Sequence, residues 1–93
     1  MIEISWTSKS IRNFKSLIKQ NPTLRLLIES TLRSLSENPF NPSLKTHKLK
    51  GNLSNIWACS IDYKYRILFK FVKNNHNQDA ILLIHIGDHD EVY

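Results

Sequence analysis

At 93 residues the chain has room for one hydrophobic core, and 41% hydrophobic with 23% charged residues excludes a disordered polymer. No apolar run approaches the ~20 residues of a membrane span, and Met1 to Thr7 lacks the basic and apolar regions of an export signal, so a soluble, cytoplasmic single domain over residues 1–93 is expected. All 13 Lys and Arg lie in residues 1–73 beside only four acids, whereas the last 20 residues hold four acids and no Lys or Arg, so the +5 chain is a +9 body with a −4 end that suits a polyanion, either nucleic acid or an acidic protein.

Ile2, Ile4 and Trp6 alternate with polar residues, the period of a half-buried strand over roughly residues 2–7. Thr7 or Ser8 offers an N-cap, and the spacing of Ile11, Phe14, Leu17 and Ile18, with Lys9, Arg12, Lys15 and Lys19 opposite, predicts a basic amphipathic helix over about residues 8–20. Asn21-Pro22 ends it and starts a second helix reaching about Ser36, with Leu24, Leu27, Ile28, Thr31 and Leu35 inward. The short link predicts a helical hairpin. Pro39 and Pro42 stiffen a loop over residues 38–44, Lys45 to Lys50 is a basic run, and residues 51–55 read as a turn. Three strands follow, over residues 56–61, 65–72 and 80–86, separated by turns at 62–64 and 74–79.

The order is β-α-α-β-β-β, an α+β domain with a small antiparallel sheet, an N-terminal strand and the helical hairpin on one face. Alternation puts Tyr65, Ile67, Phe69 and Phe71 under the helices and Arg66, Leu68 and Lys70 on the opposite, open face. The same counting puts His85 beside Ile81 and Leu83, as a packed and hydrogen-bonded histidine. His76 reads as solvent-exposed, Trp6 and Trp57 as core residues with Trp57 bordering the open face, and Cys59 as a small buried apolar residue. A lone cysteine excludes an internal disulfide and a zinc site built on thiolates. The group His85, Asp88, His89 and Asp90 has ligand types suited to one transition metal but no helical spacing that would hold it, so neither a metal site nor a cofactor is expected.

Four segments in order, His47-Lys48-Leu49-Lys50-Gly51, Ile56-Trp57, Tyr65-Arg66-Ile67-Leu68-Phe69 and Ile84-His85-Ile86-Gly87-Asp88-His89-Asp90-Glu91-Val92-Tyr93, resemble the RelE/ParE superfamily of toxin–antitoxin toxins. The His-x-Leu-x-Gly segment and the Gly-x-His ending are most similar to its RelE/StbE and YafQ-like branch. The resemblance implies a RelE-like fold and a cytoplasmic ribonuclease that cuts messenger RNA on the ribosome, restrained by a cognate antitoxin and meeting operator DNA only through it. It carries catalytic roles to His47, Arg66, His89 and Tyr93. The lysines that RelE-like members have on the strand reading Trp57-Ala58-Cys59-Ser60 are not present here. Nor are the histidine and aspartate that YafQ-like members have near Ser60 and Lys64, so the general base stays open.

Metal-free RNA cleavage needs a base for the 2′-hydroxyl, an acid for the leaving 5′-oxygen and a cation for the phosphorane. His47 and His89 have the right titration range, Arg66 has the planar fork for phosphate oxygens, and Tyr93 can stack on a base or hydrogen-bond the phosphate. Lys45, Lys48, Lys50 and Lys64 are the candidate phosphate contacts. The bland readings stand beside these: a surface histidine at 89, a solvated lysine run, a fraying Tyr93, and an Arg66 paired with Asp62 or Glu91. A different function class, a ParE-like inhibitor that binds DNA gyrase without a nuclease site, is the alternative, and a degenerate member that binds only antitoxin and operator is a third.

Overall fold

The computed structural model describes residues 1–51 and 55–88. Its elements are β1 (Glu3–Trp6), α1 (Ser8–Gln20), α2 (Leu24–Glu37), a 3-10 turn (Pro42–Leu44), β2 (His47–Lys48), β3 (Trp57–Ser60), β4 (Tyr65–Lys73) and β5 (Asp79–Asp88). One five-stranded sheet has the order β1-β5-β4-β3-β2. From β2 to β5 each strand pairs antiparallel with the next, as short turns require, whereas β1 lies parallel to β5. The α+β class and both helices are as expected, and two refinements follow. The parallel β1 makes the sheet mixed, and a fifth strand of two residues forms inside the basic run, where the Leu49 amide donates to the Ile56 carbonyl at 2.8 Å and Leu49 is buried.

Thr7 caps α1: its hydroxyl oxygen lies 3.2 Å from the Ser10 amide, and the hydroxyl itself donates to the Leu83 carbonyl at 2.9 Å. The helix is thereby fixed to β5 at its first turn. The inward stripe of α1 runs through buried Ser10 and half-buried Phe14 and Leu17, leaving Ile11, expected inward, 39% exposed at the rim. On α2 the stripe is Leu24, Ile28, Thr31 and Leu35, and Leu27 falls at its edge with 38% exposure, because 3.6 residues per turn carries it to the flank of the other four. These stripes cover Cys59, Ile67, Phe69, Ile81, Leu83 and Ile86, the main core. Trp6 meets Phe14 edge to face at 5.4 Å, and at the other end Trp57, Phe40 and Phe71 contact one another with centroids 5.4 to 5.9 Å apart. Trp57 therefore belongs to the helix-covered side, not to the border of the open face.

One irregularity decides what the open face carries. Leu83 pairs with Phe69 and His85 with Leu68, so β5 uses two residues, Ile84 and His85, where β4 uses one step. This is a β-bulge, which inverts the alternation beyond it. Ile81, Leu83 and then Ile86 face the helices, and His85 lies opposite Leu68 on the open side. The expectation that His85 shares a face with Ile81 and Leu83 is thus corrected; simple period-two counting ran through the inserted residue. β1 pairs with β5 only as far as Leu83, and just beyond it the side-chain oxygen of Asn13 on α1 accepts from the Ile86 amide at 3.1 Å, replacing the missing strand partner.

Candidate functional site

The open face is a short map of cross-strand rows. His47, Ala58, Leu68 and His85 form one row from β2 to β5, and Ser60, Arg66 and Gly87 form the next. Leu49, Ala58 and Leu68 make a small second core in the middle, with Ile56 and Ile84 packed on it. Side chains able to handle a phosphate, His47, Arg66 and His85, stand around that apolar island. His47 and His85 sit at the two ends of their row, three strand spacings or ~14 Å apart at the backbone.

His47 is exposed, and its Nδ1 lies 3.0 Å from the Lys45 carbonyl oxygen. A carbonyl only accepts, so Nδ1 donates in this contact. The Lys45 backbone is left-handed, at φ 52° and ψ 39°, as it closes the 3-10 turn, which sets that carbonyl two residues before the ring.

Arg66 is half-buried and its Nη1 donates to two carbonyls of the β3–β4 turn, those of Asp62 and, at 3.1 Å, Tyr65. The Asp62 carboxylate accepts from the Lys64 and Tyr65 amides instead, both at 2.8 Å, so the ion pair considered between Asp62 and Arg66 does not form. Among the described residues these two contacts tether the guanidinium through Nη1 to the turn. Ser60 donates to the Asp62 carbonyl at 2.8 Å and bounds the same row. Beneath it the wholly buried Cys59 thiol is pushed up to about 12, chiefly by burial and against the pull of Arg66. It is a packing residue, not a nucleophile.

The lysines do not converge. Lys45, Lys48, Lys50 and Lys64 are all exposed, but Lys48 is paired with Trp57 and so takes the face opposite to His47. Lys64 stands in the β3–β4 turn near Arg66, its ammonium 5.3 Å from the Tyr65 ring centre. His89, Tyr93 and Glu91 lie outside the described residues, as does Asp90. Among the described residues no group of three His, Cys, Asp or Glu side chains is placed to hold a metal ion. What the sequence did not disclose is His85 on this face, the side-chain-free Gly87 across from Arg66, and the role of Asn13; no periodicity signals a one-residue bulge.

The two helices and the five-stranded sheet in this order are the fold that the resemblance to the RelE/ParE superfamily implies. A model of the ParE toxin family of type II toxin–antitoxin systems, parDE, matches residues 4–93, and the chain belongs to that family. Among solved structures it resembles the YoeB/ParE toxin from Agrobacterium tumefaciens, with a TM-score of 0.78 at 18% identity over 95% of this chain and 99% of that one. YafQ from E. coli gives 0.78 at 12% identity over 100% and 99%. The YoeB–YefM complex from Staphylococcus aureus gives 0.72 at 19% over 96% and 98%. No match is found among curated proteins. The chain is a toxin of a toxin–antitoxin pair, with a cognate antitoxin as its partner. No helix among the described residues is long and apolar enough to cross a membrane.

Proposed function

We propose that this toxin is a metal-independent endoribonuclease that cleaves messenger RNA on the ribosome and so stops translation in the cytoplasm. The observation that supports it most is the pairing, on one uncovered sheet face, of a turn-anchored Arg66 with a His47 whose Nδ1 is held by the Lys45 carbonyl. His47 Nε2 takes the proton of the 2′-hydroxyl, the 2′-oxygen bonds to phosphorus, and Arg66 meets the charge gathering on the non-bridging oxygens. His89 gives its proton to the 5′-oxygen as the phosphorus–oxygen bond breaks, leaving a 2′,3′-cyclic phosphate and a 5′-hydroxyl. Tyr93 stacks on a base beside the cut, and Lys45, Lys50 and Lys64 hold backbone phosphates, with Lys48 reaching them from the strand edge. Operator DNA is met through the antitoxin.

The experiment uses purified toxin and ribosomes programmed with a defined messenger. Cleavage should stop when the sugar at the cut is 2′-O-methylated, and Arg66→Ala should lower the rate ~100- to 1,000-fold with an unchanged circular dichroism spectrum. Cleavage through the methylated sugar, or 5′-phosphate ends, would overturn the mechanism. A second reading, inhibition of DNA gyrase by binding alone, is favoured by membership of the ParE family and by the absence of lysines on β3. It predicts loss of gyrase supercoiling at toxin levels that leave ribosomal messenger intact.

A further inference from the structure

The two turns that flank β4 are closed by the same device. In the β4–β5 turn the side-chain oxygen of Asn74 accepts from the His76 and Gln78 amides at 2.8 and 3.0 Å. In the β3–β4 turn Asp62 Oδ1 accepts from the Lys64 and Tyr65 amides, both at 2.8 Å. A turn of this kind therefore needs an acceptor and not a charge. What differs is the fate of the nearby cation. Beside Asn74, the Lys73 ammonium is taken up by the Asp79 carboxylate at 2.6 Å. Beside Asp62, Oδ1 is committed to the amides, and Arg66 is held instead by neutral carbonyls, those of Asp62 and Tyr65. Each of those carbonyls is itself fixed. The Asp62 carbonyl also accepts from the Ser60 hydroxyl at 2.8 Å, and the Tyr65 carbonyl accepts from the Ile61 amide at 3.0 Å. Among the described residues Arg66 enters no ion pair and bonds through Nη1 alone, so its position is set while its charge is not neutralised.

We infer that Asp62 is a positioning residue for Arg66: by capping the amides of the β3–β4 turn, its carboxylate aims the Asp62 carbonyl at Nη1 and is itself kept from pairing with the guanidinium. A carboxylate bound to Arg66 would compete with a phosphate for the same donors, whereas a carbonyl holds the side chain without cancelling its charge. Side-chain length makes this separation work. An Asp or Asn oxygen reaches amides two and three residues on; one more methylene would open that ring and leave the carboxylate free to pair with Arg66. The effect on cleavage rests on the nuclease reading, but the effect on the guanidinium does not.

The test uses the intact toxin and two readouts. In NMR spectra of the Arg66 guanidinium, slow rotation about Nε–Cζ should keep the Nη resonances separate in the wild type and in Asp62→Asn, which retains the acceptor. In Asp62→Ala they should merge at a lower temperature. In ribosome-dependent cleavage Asp62→Asn should retain most of the rate, Asp62→Ala should lose ~10- to 100-fold, and Asp62→Glu should lose at least as much. In an Arg66→Ala background the further loss from Asp62→Ala should vanish, because a residue that acts through Arg66 has nothing left to position. Circular dichroism checks each fold; if Asp62→Ala unfolds, Asp62→Ser, whose hydroxyl caps the same amides more weakly, takes its place. Wild-type Nη resonances in the folded Ala or Ser variant overturn the assignment, as does a loss that persists in full without Arg66, or an Asn variant as damaged as Ala. If the wild type cleaves nothing while Asp62→Ala frees the guanidinium, the nuclease reading falls and the positioning role stands.

Discussion

The two faces of one sheet are built on different terms. On the helix-covered face Ile28, Leu35, Cys59, Ile67, Phe69, Ile81 and Leu83 are all wholly buried, and their positions follow strand and helix periods with one exception. On the open face, among the described residues, the buried apolar side chains are Leu49, Ala58 and Leu68, and what surrounds them is set by an edge strand of two residues and by a bulge. The covered face thereby holds most of the buried apolar surface, whereas the open face carries Arg66 and His85 half-buried and His47 exposed.

Phe69→Ala and Leu68→Ala are neighbours in sequence that should sharpen this contrast most. Removing Phe69 from the centre of the covered core should cost ~3 to 5 kcal/mol in urea unfolding, most of a small domain's margin. Leu68→Ala should cost nearer ~2 kcal/mol, the low end for such a truncation, because the island it belongs to is small. Equal losses would mean the open face is as much a core as the other. Next in size is Asn13→Ala, which strands the buried Ile86 amide and should cost ~1 to 3 kcal/mol. Hydrogen exchange at Ile86 should speed by the same free energy, and an unchanged rate there would show that Asn13 is dispensable.

Smaller again is deletion of Ile84. It removes the extra residue while leaving Leu83 opposite Phe69 and His85 opposite Leu68, so the toxin should fold, with a loss of ~1 kcal/mol, below the ~1.5 to 3 of a fully buried side chain. An Ile84 deletion that unfolds the toxin would show that the extra residue is needed to hold the register of β5. The smallest effect near neutrality concerns Cys59. Its thiol ionises at about 12 in the folded chain against ~8.5 unfolded, so folding favours the protonated form and stability is complete below the lower value. It should fall as pH rises through that window, by up to ~1.4 kcal/mol per pH unit, a slope that Cys59→Ala should abolish. Thiol labelling of the native toxin at pH 8 should proceed only at the rate of opening.

Much of the covered face was legible because helices and strands announce themselves by period. Both helices, the three C-terminal strands and the placing of Tyr65, Ile67 and Phe69 against Arg66 and Leu68 follow from alternation alone. The open face was legible at Arg66 but not at His85, because one inserted residue inverts parity and no local propensity marks the insertion, and His47 was singled out by the resemblance and not by its place in the sheet. Trp57 was misplaced for a related reason: as a strand's first residue it had no alternation behind it, and its partners Phe40 and Phe71 come from a loop and from another strand. The two-residue β2 is too short to have a period, and only burial of Leu49 reveals it.

The parallel pairing of β1 with β5 joins residues 3–6 to residues 80–83, so the first strand made must wait for the last. Translation at ~5 to 20 residues per second leaves roughly 4 to 15 s between them, during which Ile4 and Trp6 have no sheet to join. β5 is also the interior strand that connects β1 to β4, and it carries Gly87 and His85. The sheet therefore cannot close on β1 until the segment from Asp79 to Asp88 is free to pair with it.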